Sequence, residues 1–297
     1  MNTIIAMDKS GSYRVYMTIT TDMVKKAREI HHTAPTATAA LGRTLTAAGL
    51  MGLMLKSDTD KLSLIFKGNG MAKEILATAN AKGEVKGYIA NPSADLPPRA
   101  DGHLNVGGII APGNLTVIKD LGLREPYIGK IDLVNGEIAQ DLTQYFAASE
   151  QQPSAVSLGV RLDGEGTICA AGGFIVQVLP NAEEAAIAAL EENLFLMDAL
   201  TLLIQDAGNP RALLKLVFKD MPDEYKPEVL DERQIEWKCD CSKERMERAL
   251  ISIGPKDLAE IIEEDGKAEL TCQFCLNKYT FNKEELTDLL KEACHGR

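Results

Sequence analysis

Four cysteines in two close pairs are the residues best suited to do chemistry in this sequence. Cys239 and Cys241 are separated by one residue, Cys272 and Cys275 by two, and thirty residues lie between the pairs. Four soft thiolates donated by two separate chain segments suit the tetrahedral coordination that zinc prefers. The spacing therefore predicts one tetrathiolate zinc site built from all four cysteines.

The spacing leaves two roles open for such a site. It could be a structural ribbon that only holds a small domain together. It could also be a redox switch, because C-x-C is unusual in ribbons, C-x-x-C occurs in dithiol redox motifs, and each pair can close its own small-loop disulfide. Nearby cations favour thiolates, which are the form that oxidants attack. The cations that flank the pairs are Lys238, Lys243, Arg245 and Lys278.

The two remaining cysteines carry weaker signals. Cys169 lies in the segment Thr167-Ile168-Cys169-Ala170-Ala171 and is predicted to be a small buried apolar residue. Cys294 stands beside His295 near the C-terminus. It is an alternative ligand by residue type, but a frayed tail is the preferred interpretation.

The segment that precedes the cysteines has the pattern of a mixed domain, residues 1–178. Apolar residues alternate from Tyr13 to Ile19, as in a half-buried strand, and a helix is expected to begin at Thr21 or Asp22. Residues 36–55 indicate a buried helix, and Asp141 is expected to cap a short helix. Hairpin-like turns are predicted at 82–83, 112–114, 135–136 and 163–164. An α+β fold with mostly antiparallel strands is the prediction.

Residues 179–230 are predicted to be a helical linker packed on that first domain. Apolar side chains form a wide stripe along 183–205, and a second helix is expected over 211–219. Such an apolar segment needs a surface to cover it. Residues 231–297 then form the predicted zinc-binding domain, in which helical stretches at 243–250 and 257–264 bring the two cysteine pairs together.

Composition and charge exclude several partners. The net charge is −11, and the segment 231–297 carries eleven basic against sixteen acidic residues, so a nucleic-acid-binding face is not expected. The longest apolar stretch, 36–55, contains Arg43, so no membrane span is expected. Asp8 and Lys9 follow too soon for a secretory signal. We expect a cytoplasmic protein, in which clustered thiols indicate metal or redox chemistry rather than structural disulfides.

No enzyme motif stands out, and the prediction is that the protein is not an enzyme. Gly129-Lys130 is followed by Ile131, which does not match a phosphate-binding loop, and the glycines at 68 and 70 lack the third glycine of a dinucleotide fingerprint. The histidines at 31, 32 and 103 have no evident catalytic partner.

Together these features resemble the 33-kDa chaperonin family of redox-regulated bacterial holdases. The resemblance rests on the C-x-C at 239–241, the C-x-x-C at 272–275 and their separation. It also rests on the segment 145–153, Tyr-Phe-Ala-Ala-Ser-Glu-Gln-Gln-Pro, and on the glycine-containing stretch 107–122. It extends over the whole chain.

The resemblance implies an ATP-independent chaperone that is inactive when reduced and loaded with one zinc ion per chain. It implies that oxidation forms Cys239–Cys241 and Cys272–Cys275 disulfides, releases zinc and loosens the linker. Exposed apolar surface would then bind unfolding client proteins and prevent their aggregation. The active form is expected to be a homodimer that binds neither nucleic acid nor membranes.

Overall fold

In the computed structural model, which describes residues 1–295, the chain divides into two compact units. The first spans Met1–Lys238 and the second begins at Cys239. The predicted α+β class is confirmed, with antiparallel pairing in all but one strand pair of the described residues. Among the helices of these residues, none has both the length and the apolar character that a membrane crossing needs.

A five-stranded antiparallel sheet, in the order β10-β1-β2-β9-β8, forms one layer of the first unit. It brings together strands that are far apart in the sequence. Its strands are β1 (Thr3–Asp8), β2 (Tyr13–Ile19), β8 (Ser154–Leu162), β9 (Ile168–Val178) and β10 (Pro227–Arg233).

A six-stranded sheet, in the order β11-β5-β4-β3-β6-β7, forms another layer of the same unit. The short strand β11 pairs in parallel with β5, and the other neighbours are antiparallel. Its strands are β3 (Lys61–Gly68), β4 (Glu74–Asn80), β5 (Glu84–Ile89), β6 (Gly113–Asp120), β7 (Tyr127–Asp132) and β11 (Glu236–Trp237).

Helix α2 packs on both sheets and is the centre of the main core. Its sequence is rich in Ala, Gly, Thr and Leu, and sixteen of its eighteen residues are buried, as the sequence predicts for this stretch. Small side chains let strands approach the helix on several sides. The helices that precede the linker are α1 (Thr21–His31), α2 (Pro35–Gly52), α3 (Val106–Ile110) and α4 (Ala139–Ala148).

The linker region folds as three short helices on the five-stranded sheet. They are α5 (Glu184–Phe195), α6 (Leu200–Ala207) and α7 (Pro210–Val217). Side chains of α5–α7 and of the strands form a second core of seventeen buried residues, which includes Tyr13, Phe174 and Phe218. The predicted continuous stripe over 183–205 is therefore interrupted. The chain breaks after α5 so that α6 can pack on β8 and β9, and Phe195 and Leu196 at the break remain exposed.

Two predicted turns and one predicted cap differ from the structure. Residues 112–114 lead from α3 into β6, and 135–136 lead from β7 into α4, so neither is a hairpin turn. Asp141 is the third residue of α4 rather than its cap. Its carboxylate accepts hydrogen bonds from the backbone N–H groups of the preceding loop, including those of Val134 and Ile138, and so fixes the helix start.

The second unit is a small α+β module with its own core. It contains α8 (Lys243–Ser252), α9 (Pro255–Glu264), α10 (Lys283–His295) and the antiparallel hairpin of β12 (Lys267–Thr271) and β13 (Lys278–Asn282). Six buried residues form that core: Leu250, Leu258, Ile262, Phe281, Leu286 and Leu289.

Candidate metal centre

The structure brings all four paired cysteines of the second unit together. Their Sγ atoms lie within 4.8 Å of one another. Two short separations each join one cysteine of the first pair to one of the second: 3.7 Å from Cys239 Sγ to Cys272 Sγ, and 3.3 Å from Cys241 Sγ to Cys275 Sγ. All four are free thiols, and these sulfur–sulfur separations are far longer than the roughly 2.05 Å of a disulfide bond.

The donor set fits a zinc ion. Four sulfurs at about 2.3 Å from a common centre in a tetrahedron are separated by about 3.8 Å, close to the two distances above. Cys272 is buried and the other three are partly buried, so the sulfurs face one another and not open solvent. The cluster could therefore hold a metal ion, and four thiolates are a donor set typical of structural zinc.

Each cysteine pair is positioned by a distinct local structure. Cys239 and Cys241 lie just before α8, whose cap is Ser242: its Oγ accepts a hydrogen bond from the Arg245 N–H at 3.3 Å. Cys272 and Cys275 lie in the loop between β12 and β13, so the hairpin register fixes their location.

The β12–β13 loop closes through two backbone hydrogen bonds. The Leu276 N–H donates to the Cys272 carbonyl, and the Cys272 N–H donates to the Asn277 carbonyl, both at 2.9 Å. Leu276 adopts a left-handed conformation with φ of 59°, unusual for a residue with a side chain. This tight turn directs both thiols of the second pair to the same side.

Tyr279 is a residue of the site that cysteine spacing does not reveal. Its hydroxyl donates a hydrogen bond to Cys241 Sγ at 3.1 Å. The sequence does carry one signal for it, because side chains alternate between the two faces of a strand. Tyr279 and Phe281 therefore share a face of β13, and Phe281 is buried in the core of the second unit. That face is therefore directed inward, towards the cysteines and the core.

The electrostatics differ among the thiols. Burial raises the pKa of Cys239 and, to a lesser degree, that of Cys275. Burial also acts to raise the pKa of Cys241, but hydrogen bonds from Tyr279 and the neighbouring thiols outweigh it and lower that pKa. The same hydrogen bond, with burial, raises the pKa of Tyr279 to about 12. Cys241 is therefore the sulfur whose surroundings most favour a thiolate among these three.

The flanking cations predicted to support the thiolates have another role. Each is paired with a carboxylate, so its charge is largely balanced before it can act on the sulfurs. The ion pairs are Lys238 with Glu84, Lys243 with Glu285, Arg245 with Asp240, and Lys278 with Glu269.

The other predicted positions lie outside the cluster. Cys169 is the second residue of β9 and is partly exposed, so the prediction of a buried residue is wrong. A register shift between β8 and β9 leaves Cys169 without a partner on the neighbouring strand. Cys294 is exposed on α10 and is not among the clustered thiols. His31 is buried and its Nε2 lies 3.1 Å from the Gly87 carbonyl, a structural contact. His103 lies against Asp101 on the surface.

Fold and site together thus define the class of protein: a mixed α+β protein that carries four clustered cysteines in a separate C-terminal unit. The family model described as Hsp33 protein matches residues 2–282. The chain belongs to the Hsp33 family.

Curated relatives and a solved structure agree with this assignment. The "33 kDa chaperonin" of Clostridioides difficile is 49% identical over 288 residues, 97% of each chain, and that of Alkaliphilus oremlandii is 46% identical over 98% of this chain and 97% of the relative. The crystal structure of the 33 kDa chaperonin (Heat shock protein 33 homolog) from Thermotoga maritima superposes with a TM-score of 0.87. It is 34% identical and the match covers 99% of each chain.

Proposed function

We propose that this protein is an ATP-independent holdase that is inactive with zinc bound and becomes active when its clustered cysteines are oxidised. The observation that carries the proposal is the convergence of four free thiols, from two chain segments, in a unit whose described residues include a core of six buried side chains. Membership of the Hsp33 family supports the chaperone function itself.

In the resting state Cys239, Cys241, Cys272 and Cys275 would hold one Zn²⁺. When bound, the ion supplies folding free energy, about 10–16 kcal/mol in zinc-finger peptides. A unit of this size has only a marginal hydrophobic core, so a bound metal would supply a large share of its stability. Loss of the ligands would therefore unfold the second unit, which begins at Cys239 and forms most of the proposed switch domain, residues 231–297.

Oxidation removes the ligands in balanced steps. With hydrogen peroxide, one thiolate attacks an oxygen to give a sulfenic acid and hydroxide, and a second thiolate then displaces hydroxide from that sulfur to form a disulfide. Two peroxides thus oxidise four thiolates. We propose that the products are Cys239–Cys241 and Cys272–Cys275, because each pair is separated by only one or two residues and can close after the cluster comes apart.

The client-binding surface would come from the linker (residues 179–230) and the core domain beneath it (residues 1–178). Helices α5–α7 cover apolar side chains of the five-stranded sheet, among them Tyr13 and Phe174. At the α5–α6 break Phe195 is 88% exposed and Leu196 63% exposed. Loosening of these helices would enlarge that apolar surface, which is the property needed to hold unfolding proteins.

The energies are large enough for a switch. Moving a two-state equilibrium from 1:99 to 99:1 requires about 5.5 kcal/mol. Structural zinc can supply roughly 10–16 kcal/mol, so even partial coupling between the metal site and linker packing suffices. We further propose that the active form is a homodimer, that it acts in the cytoplasm without ATP turnover, and that nucleic acids and membranes are not its partners.

The test follows zinc release and holdase activity in the same sample. Reduced, zinc-loaded protein is treated with hypochlorous acid, or with peroxide at elevated temperature. Zinc is read with a chromophoric chelator, and activity as suppression of light scattering by an unfolding client without ATP. Release of one zinc per chain as suppression appears supports the proposal, and light scattering of the protein alone reports its dimerisation. Zinc release without any suppression would leave a structural metal site and contradict it.

A further inference from the structure

The hydroxyl of Tyr279 contacts a clustered sulfur and joins the two cysteine-bearing segments through a residue that is not a cysteine. Tyr279 lies on β13, directly after the loop that carries Cys272 and Cys275, and opposite Leu270 on β12. Its hydroxyl reaches Cys241, which belongs to the other segment. The contact thus ties the β12–β13 hairpin to the first cysteine pair.

The donors to the sulfurs are of two kinds. Two contacts are between thiols: Cys239 Sγ lies 3.7 Å from Cys272 Sγ, and Cys241 Sγ lies 3.3 Å from Cys275 Sγ. Neither can be removed without removing a candidate zinc ligand. The contact of Cys241 with the Tyr279 phenol can be removed by a single substitution that leaves all four thiols in place.

We propose that Tyr279 is a positioning residue that raises the zinc affinity of the cluster and slows oxidation of Cys241 while that sulfur is bound to zinc. This inference rests on the proposed zinc site and deepens it. A tetrathiolate zinc centre has a formal charge of −2, and a donor to one sulfur withdraws negative charge from it. The sulfur then stays bound more readily and attacks an electrophilic oxygen more slowly. Groups that hydrogen-bond to metal ligands typically change metal affinity about 10–100-fold when removed.

The experiment compares Tyr279→Phe with Tyr127→Phe in the full-length, reduced protein. The control also removes one hydroxyl that is hydrogen-bonded at the surface, in this case to Ser149 of the first unit. Zinc affinity is measured under anaerobic conditions by competition with a chromophoric chelator. Oxidation of Cys241 by hydrogen peroxide is followed by alkylation and peptide mass spectrometry.

We expect Tyr279→Phe to weaken zinc binding by at least about fivefold, since removal of such groups typically costs about 10–100-fold, and to speed oxidation of Cys241, while Tyr127→Phe matches wild type. A change in zinc affinity below fivefold would overturn the inference. If wild type itself binds no zinc, the proposed function fails first, so the two failures are distinguishable.

A second measurement guards against a variant that is only misfolded. The protein is loaded with excess Co²⁺, and the thiolate-to-cobalt charge-transfer band is recorded, which arises only in an assembled site. Removal of a hydrogen bond to one coordinated sulfur is expected to shift the band of Tyr279→Phe but not that of Tyr127→Phe. A band identical to wild type would show that the hydroxyl does not act on the bound sulfur, and would overturn the inference.

Discussion

The two units of this protein are stabilised in different ways. Among the described residues, the first unit has apolar cores of thirty-seven and seventeen buried residues, whereas the second has one core of six. The first unit buries enough apolar surface to fold by the hydrophobic effect alone. The second unit holds four clustered thiols instead. The proposed switch requires such a difference, because a second unit that depends on its metal could unfold while the first unit stays folded.

The largest effect is expected from removing the metal ligands. Cys241→Ser replaces a thiolate with a poor zinc ligand, so the second unit should lose most of the roughly 10–16 kcal/mol that structural zinc contributes and unfold. In the first unit, α5–α7 should lose their packing, as the proposed coupling requires, while the core around α2 should still melt as in wild type. Differential scanning calorimetry of reduced, zinc-supplied protein checks this.

Cys169→Ser is the matched control, since Cys169 is a partly exposed thiol outside the cluster. It should retain both the zinc and the melting profile of wild type. If Cys241→Ser bound one zinc per chain and kept the melting profile of wild type, the proposed difference between the two units would be wrong.

The next largest effect is expected in the linker core. Phe218 is 2% exposed and its ring stacks on that of Tyr13, with centroids 6.1 Å apart. Phe218→Ala should cost about 3–5 kcal/mol of stability and loosen α5–α7. Because the second unit keeps its ligands, zinc affinity should stay unchanged while the reduced protein gains holdase activity.

Phe195→Ala provides the stability control for this experiment, because Phe195 is exposed and its truncation leaves no cavity. Urea denaturation, chelator competition and client light scattering are the three measurements. Loss of stability in Phe218→Ala without any gain of suppression would separate linker packing from activity.

For the second unit, the sequence predicts which residues form the candidate metal site better than it predicts how the fold arranges them. The cysteine quartet follows from spacing alone, because two short-spaced pairs suit one tetrahedral ion. Tyr279 does not, since its role depends on a fold that brings β13 to Cys241. Which sulfurs lie nearest one another also depends on that fold.

In the first unit the buried strands and α2 are predictable, because their apolar periodicity or composition is local. The return of β10 and β11 to the first unit's sheets is not predictable in this way. These strands come after α7 in the chain, yet β10 pairs with β1 and β11 with β5, through long-range backbone hydrogen bonds that leave no local pattern. The division into domains 1–178, 179–230 and 231–297 remains a prediction about function.

A smaller effect concerns the segment that leads to Cys239. The Asn2 side-chain amide donates a hydrogen bond to the Ile235 carbonyl and accepts one from the Ile235 backbone N–H, both at 2.8 Å. The Ile235 side chain lies so close over Gly49 that a Cβ there would meet it at 2.7 Å. Asn2→Ala should therefore cost about 1–3 kcal/mol in the first unit, because it leaves both backbone groups without their partner.

Asn69→Ala, at an exposed position of the same unit, is the control and should be nearly neutral. Urea unfolding monitored by the fluorescence of Trp237 reports this segment directly. Equal midpoints for the two variants would mean that the Asn2 contacts do not hold the segment.

The smallest effect is expected at the ion pair of Glu84 and Lys238. The hydrogen bond from Lys238 lowers the pKa of Glu84 below its ordinary value of 4.5. A carboxyl whose pKa is lower in the folded state stabilises the fold fully above the unfolded-state pKa. This stability is lost as the pH falls through the folded-state pKa. Both groups are partly exposed, so Glu84→Gln should cost only about 0.2–1 kcal/mol at pH 7.

At pH values below the folded-state pKa, wild type and Glu84→Gln should have the same stability, because the wild-type carboxyl is then also neutral. Urea midpoints across the acid range check this. A difference that persists in strong acid would assign the effect to packing rather than charge.

The most direct test of the central claim is hydrogen exchange on the full-length protein, compared between the reduced zinc-loaded form and the oxidised zinc-free form. The account predicts loss of protection throughout the second unit and in α5–α7, with protection retained in α2 and in the central strands of both sheets. Loss confined to the second unit, with α5–α7 still protected while clients are held, would contradict the claim that metal release acts through the linker.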